Sequence, residues 1–245
     1  MILGDYPAGI YFQVSSIVTV ATLIIIYWIS QYYGHDKPFP HSWISDVADH
    51  FPEYVFFRIA TISGSTLMLL GWFVNHFYIQ TVGVENVINI HQYKPSIMLI
   101  MGIMGSFLLM GTTATIDTGK MNDKWHTSCA SNFFIFTLIA QIYNTAIFSH
   151  LYFKYNAVSR TSTYLKIIHL VLLIIQLLES TNSKLWTHYG EKLEENDLMG
   201  DKAIFLEWTL TLTVVFGFLI MSMDVKNFNF IYEKYDSVRR DVREV

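Results

Sequence analysis

Residues 9–30 read GIYFQVSSIVTVATLIIIYWIS. A helix needs about 20 mostly apolar residues to cross a bilayer, and this run is long enough. Five more stretches of the same kind follow, at about 55–78, 95–115, 131–152, 163–180 and 203–223, with short polar segments between them. Backbone N–H and C=O groups cannot stay unpaired in hydrocarbon, so each span is expected to be a helix. The expected fold is all-α: a polytopic membrane protein built as a six-transmembrane-helix bundle over residues 1–224, followed by a cytosolic C-terminal tail, 225–245.

Composition agrees. Hydrophobic residues make up 52% of the chain and charged residues 15%, against about 25% charged in soluble domains. The mean hydropathy is +0.35. A net charge of -4 and the lack of a Lys/Arg block argue against nucleic acid as a partner. Arg239, Arg240 and Arg243 instead suit an anionic cytosolic leaflet. With a single cysteine, Cys129, neither an internal disulfide nor a thiolate metal site is expected, and no cofactor is implied. The N-terminus lacks a basic n-region, and its apolar run exceeds a signal peptide's core, so it reads as a retained first span.

An even number of spans puts both termini on one side. Lys and Arg lean towards that side, which the positive-inside rule makes cytosolic. The larger loops, including the one at about 31–54, then face the lumen or the exterior. Asn75 and His76, near the expected end of span two, are expected to sit close to the membrane interface. The glycines of SIMLIMGIMGSFLLMG (Gly102, Gly105 and Gly111) allow close helix approach.

Charges inside spans are costly and usually face a bundle interior or a watery cavity. Arg58, Glu179 and Glu207 all fall near the luminal ends of their spans, and His126 precedes span four on the same side. Arg58, His126 and Glu207 are expected to converge on one pocket. Two readings remain open: Glu207 and Arg58 form a static tie between helices, or the group handles a lipid head group. Glu179, at a helix end, can simply reach water. His126 can serve as an acid or base near neutral pH, or be an ordinary interfacial histidine. Asn132, Gln141, Asn144, His150, His169 and Gln176 give spans four and five a polar interior, with packing and interhelical hydrogen bonding as their simplest roles. No GxSxG, HExxH or P-loop occurs.

Four blocks carry a resemblance: PFPHSWISDVADHFPEYVFFRI at 38–59, which contains a P-x-x-x-x-x-R motif from Pro52 to Arg58; WFVNHFYIQ at 72–80; WHTSCASNFFIF at 125–136; and FLEWTLTLT at 205–213. In order and spacing the chain resembles the six-span FRAG/DRAM/Sfk membrane family. Within it, the blocks look most like the post-GPI attachment to proteins factor 2 subgroup, although the cysteine-rich stretch after span two is missing.

The resemblance implies glycosylphosphatidylinositol (GPI) anchor lipid remodelling in the Golgi or endoplasmic reticulum, including reacylation of lyso-GPI. Its alternative is a non-catalytic membrane adaptor, or a regulator of phosphoinositide metabolism or autophagy, at the plasma membrane or lysosome. The implied partners are membrane lipids, with GPI or phosphoinositide head groups, and other membrane proteins. The polar positions carried across are Glu53, Arg58, His126 and Glu207. In this reading all four bind lipid. Arg58 holds a phosphate, His126 orients or deprotonates a lyso-lipid hydroxyl, and Glu207 orients His126 or counters Arg58. His126 and Glu207 are the candidate catalytic pair.

Overall fold

The computed structural model describes residues 8–35, 44–47, 50–114, 123–182 and 198–225. The expected tail beyond Val225, the middle of the 31–54 loop and most of the acidic 179–200 segment lie outside these residues. The described elements are α1 (Gly9–Tyr33), the short α2 (Ile44–Val47), α3 (Glu53–Glu85), a 3-10 turn (Ile90–Tyr93), α4 (Pro95–Ala114), α5 (Asp123–Tyr155), α6 (Arg160–Asn182) and α7 (Leu198–Asp224). Six of the helices are long and apolar enough to cross a membrane. The fold is an all-α six-helix bundle.

The long helices form a ring in chain order. α1 packs on α3, α3 on α4, α4 on α5, α5 on α6, α6 on α7, and α7 returns to α1. Read as six crossings, the start of α1 and the end of α7 share one face, the tail side. The starts of α3, α5 and α7 share the opposite, loop side with the end of α1.

Close approach requires small residues where two helices cross. Gly102 of α4 faces Trp72 of α3, whose side chain is fully buried. A Cβ at Gly102 would lie 2.3 Å from the indole Cδ2, so only glycine fits there. Trp72 in turn meets Phe218 of α7 edge-on at 5.6 Å.

α3 and α5 each run for 33 residues, about 50 Å at 1.5 Å per residue. That exceeds a hydrocarbon core of about 30 Å. The length of α3 overturns the expectation for Asn75. α3 continues to Glu85, so Asn75 lies more than two turns from its end and is fully buried. Its Nδ2 donates to Asn144 Oδ1 at 3.1 Å, and Asn144 Nδ2 donates to Gln141 Oε1 at 3.4 Å. His169 of α6 donates from Nε2 to the Thr213 carbonyl of α7 at 2.9 Å.

On the tail side, Lys166 of α6 forms a buried ion pair with Asp224 of α7. Its ammonium also donates to Ser162 Oγ at 2.9 Å and lies 4.0 Å from the Phe148 ring centre. At the other end of α6, Glu179 pairs with Lys202 at 2.6 Å, with both side chains well exposed.

Breaking a buried pair by removing one partner costs about 3–5 kcal/mol, whereas replacing both by apolar groups is often near neutral. In thermal melts of the purified protein, Asp224→Ala is expected to lower the midpoint strongly. The Lys166→Met/Asp224→Leu double variant is expected to recover most of the loss. A double variant as unstable as the single one would show that the charges themselves hold α6 against α7.

Candidate functional site

The loop side of the bundle encloses a cavity of about 140 Å³. Its walls come from α1, α2, α3, α4, α5 and α7, and α6 contributes none of them. Much of the lining is apolar, with Met68, Leu109, Phe133, Phe134, Val214 and Phe218. Leu23, Ile44, Phe57, Ala60, Ala130 and Val215 add to the apolar lining, and hydroxyl groups come from Ser15, Ser16, Thr19 and Thr22 of α1, Thr61 of α3, Thr112 of α4 and Thr211 of α7. His126 and Glu207 complete the lining.

His126 stands one turn into α5 and is 4% exposed. Its Nδ1 lies 3.1 Å from the Thr112 carbonyl oxygen of α4. A carbonyl only accepts, so Nδ1 carries the proton, and in the neutral ring Nε2 carries the lone pair. Glu207 sits in α7, where Oε2 accepts the Ile44 N–H at 2.9 Å. That bond seats α2. Ile44 and Val47 bury their side chains against Leu23, Ile26, Phe57 and Trp208, and Ile44 forms part of the cavity wall.

Glu53 and Arg58 stand elsewhere. Glu53 opens α3, where a carboxylate suits the helix dipole. Its side chain is fully buried, and His35 Nδ1 donates to Oε1 at 2.7 Å. Oε2 is buried with no hydrogen-bond partner among the described residues. Gly34, at φ 67°, ends α1 in the left-handed conformation that glycine adopts without cost. There the chain turns into His35, whose ring stacks on Tyr33 at 5.4 Å and on His50 at 4.8 Å. Arg58 places its guanidinium 5.2 Å from the Tyr54 ring centre. Phe57, Ala60 and Thr61 around it line the cavity, but Arg58 does not.

The structure thus brings His126 and Glu207 to one cavity. It sets Glu53 in a separate cluster with His35 and leaves Arg58 outside the lining. The α1 hydroxyls were missed by the sequence reading, which weighed charges and amides. Their signal was the spacing of Ser15, Thr19 and Thr22, at i, i+4 and i+7, which shares one helix face. Among the described residues, no group of His, Cys, Asp and Glu is arranged to hold a metal ion.

A six-helix bundle whose helices are long and apolar enough to cross a membrane, with a largely apolar cavity among them, defines a polytopic membrane protein. The model of the Frag1/DRAM/Sfk1/Cwh43P N-terminal domain matches residues 8–228, and the chain belongs to this family. No curated protein and no solved structure matches it.

A hydrogen bond to a charged acceptor is worth about 1.5–3 kcal/mol. Glu207→Ala is therefore expected to release α2, raising amide hydrogen exchange at Ile44–Val47 by about tenfold or more. Glu207→Gln keeps an acceptor for the Ile44 N–H and is expected to retain most of the protection. Equal exchange in all three proteins would show that apolar contacts alone seat α2.

Proposed function

We propose that the chain binds a membrane lipid in the loop-side cavity and takes part in GPI-anchor lipid remodelling, with reacylation of a lyso-GPI as the step. The observation that carries this reading is the joint presence of His126 and Glu207 on the wall of a largely apolar cavity. Such a cavity suits an acyl chain, and its polar wall suits the hydroxyl next to that chain. Family membership over residues 8–228 supports the reading. The even number of spans and the basic bias of the tail side support a luminal position for the cavity, and a luminal step fits the Golgi or endoplasmic reticulum.

The chemistry follows from the geometry of His126. The Thr112 carbonyl holds Nδ1–H, which orients the ring with its basic nitrogen at Nε2. A lyso-lipid hydroxyl gives its proton to Nε2 as its oxygen attacks an acyl carbonyl. The bond from that carbonyl carbon to the donor's oxygen or sulfur then breaks, and the leaving group takes the proton. Glu207 shapes the site by seating α2. Arg58 lies outside the lining, and in this reading it keeps a phosphate-binding role apart from the cavity.

A second reading is a non-catalytic adaptor. It is favoured by the fact that His126 and Glu207 each bond a backbone group of the chain itself, as purely architectural residues do. Rescue of GPI-anchored protein display in cells lacking the endogenous factor, paired with analysis of anchor acyl chains, separates the two. A positioned acid or base contributes about 10²–10⁴-fold to rate. His126→Ala is thus expected to abolish remodelling at an unchanged protein level. Full rescue by His126→Ala, with loss on truncation after Asp224, would select the adaptor. Unaltered anchor chains with the wild-type protein correctly delivered would overturn GPI remodelling.

The orientation has its own check. In sealed secretory-pathway vesicles, a tag after Val245 is expected to be digested by added protease, and one inserted at 36–43 to be protected. The reverse pattern would place the cavity on the cytosolic side.

A further inference from the structure

We infer that the cavity takes a hydrogen-bond donor, a lipid hydroxyl or ammonium group, and keeps phosphate outside. This deepens the proposed lipid-binding reading and rests on it. The inference comes from where the hydrogens on the cavity wall point.

Serine and threonine in helices often donate to a carbonyl one turn back, and three of the seven lining hydroxyls do. Thr19 Oγ1 donates to the Ser15 carbonyl at 2.9 Å. Thr211 Oγ1 donates to the Glu207 carbonyl at 2.9 Å, and Thr112 Oγ1 donates to the Leu109 carbonyl at 2.6 Å. Ser16 Oγ reaches across to the Val215 carbonyl of α7 at 3.4 Å. A hydroxyl that has given its hydrogen to a carbonyl offers its surroundings only lone pairs. Glu207 is an acceptor in its ionised form, and the neutral His126 ring, with Nδ1–H donated to Thr112, accepts at Nε2. The polar part of the wall therefore presents several acceptors.

Charge points the same way. Among the described residues, no Lys or Arg lines the cavity, and its one carboxylate is that of Glu207. Phosphate recognition in proteins relies on guanidinium or ammonium groups, or on backbone N–H groups at helix starts. Within the long helices the backbone N–H groups go to their own carbonyls, and at the start of α2 the Ile44 N–H is given to Glu207. A phosphate drawn inside would lose its hydration and face an anion in a medium where charges interact strongly. A hydroxyl or ammonium head meets complementary lone pairs, and the ammonium also meets the opposite charge.

Photoaffinity labelling tests this with the full-length protein in phosphatidylcholine nanodiscs. The probes are three diazirine lipids sharing one hydrocarbon chain: a monoacylglycerol, a long-chain primary amine and a lysophosphatidic acid. The first two are expected to label peptides of α1 and α7 at least about tenfold more than the third. If the amine labels most, the site favours ammonium, and if the monoacylglycerol does, it favours hydroxyl. Glu207→Gln is expected to reduce amine labelling about tenfold and leave monoacylglycerol labelling within about threefold, because it removes charge and keeps an acceptor.

Thr61→Arg places a cation on the wall and is expected to admit lysophosphatidic acid. Should that variant fail to fold, the ratio of the three probes on the wild-type protein decides alone. Lysophosphatidic acid labelling these peptides as strongly as the monoacylglycerol would overturn the inference, and so would labelling of these peptides by none of the probes. Anchor remodelling in cells reads the proposed function separately. Phosphate labelling alongside intact remodelling overturns only the head-group assignment. Donor-head labelling without remodelling overturns only the GPI step.

Discussion

Lipid gives helices little reason to associate. Its chains are as apolar as leucine, so burying leucine against leucine gains almost nothing there, and a bundle must hold together by close packing and hydrogen bonds. The architecture follows from that constraint. Gly102 lets α4 reach the face of Trp72. Asn75 reaches Asn144 across the interior, His169 reaches the backbone of α7, and Lys166 reaches Asp224. Each contact draws together two helices that lipid alone would leave apart. The large apolar side chains turn outward in numbers, as Ile17, Trp28, Ile59, Phe153 and Leu178 do. In water that would be an aggregation hazard; in a membrane it is the solvated surface.

The two ends of the bundle use the same constraint differently. Towards the tail side, polar groups of different helices meet one another. Towards the loop side, the hydroxyls of α1 and α7 bond mainly to helix carbonyls, and space remains between the helices. A polar group satisfied by its own helix does not pull a neighbour inward. The distribution of hydrogen bonds thus differs between the two ends of the bundle.

The sequence made the six helices legible because length and hydropathy report directly on the cost of exposing backbone to lipid. His126 and Glu207 were legible for a related reason, since ionisable groups at the edge of a span need a polar surrounding. The extent of α3 was not. Asn75 and His76 looked like the end of a span, because polarity within an apolar run has two causes, an interface or an interior partner. Only the position of Asn144 distinguishes them. The hydroxyl stripe of α1 also escaped, since serine and threonine bonded to their own helix cost little in lipid and leave the hydropathy of the span almost unchanged. The separation of Arg58 from the cavity wall could not be read either. Neighbours along α3 point to different faces, so a shared depth in the membrane says nothing about direction.

The ring of helices has a consequence for the order in which the molecule is made. Most of its packing joins neighbours in the chain, and the largest exception is the seam where α7 returns to α1. Helices α1 to α6 can therefore pair as they emerge during synthesis, each on the one before it. The cavity has α1 and α7 as two of its walls, so it cannot close until α7 has been threaded into the membrane and has travelled back to α1. Ser16 bonding to Val215, and Glu207 seating Ile44, are among the last contacts to form. A nascent chain that stalls before α7 carries all but one of its long helices and no binding site, which gives cellular quality control a physical distinction between an unfinished molecule and a finished one.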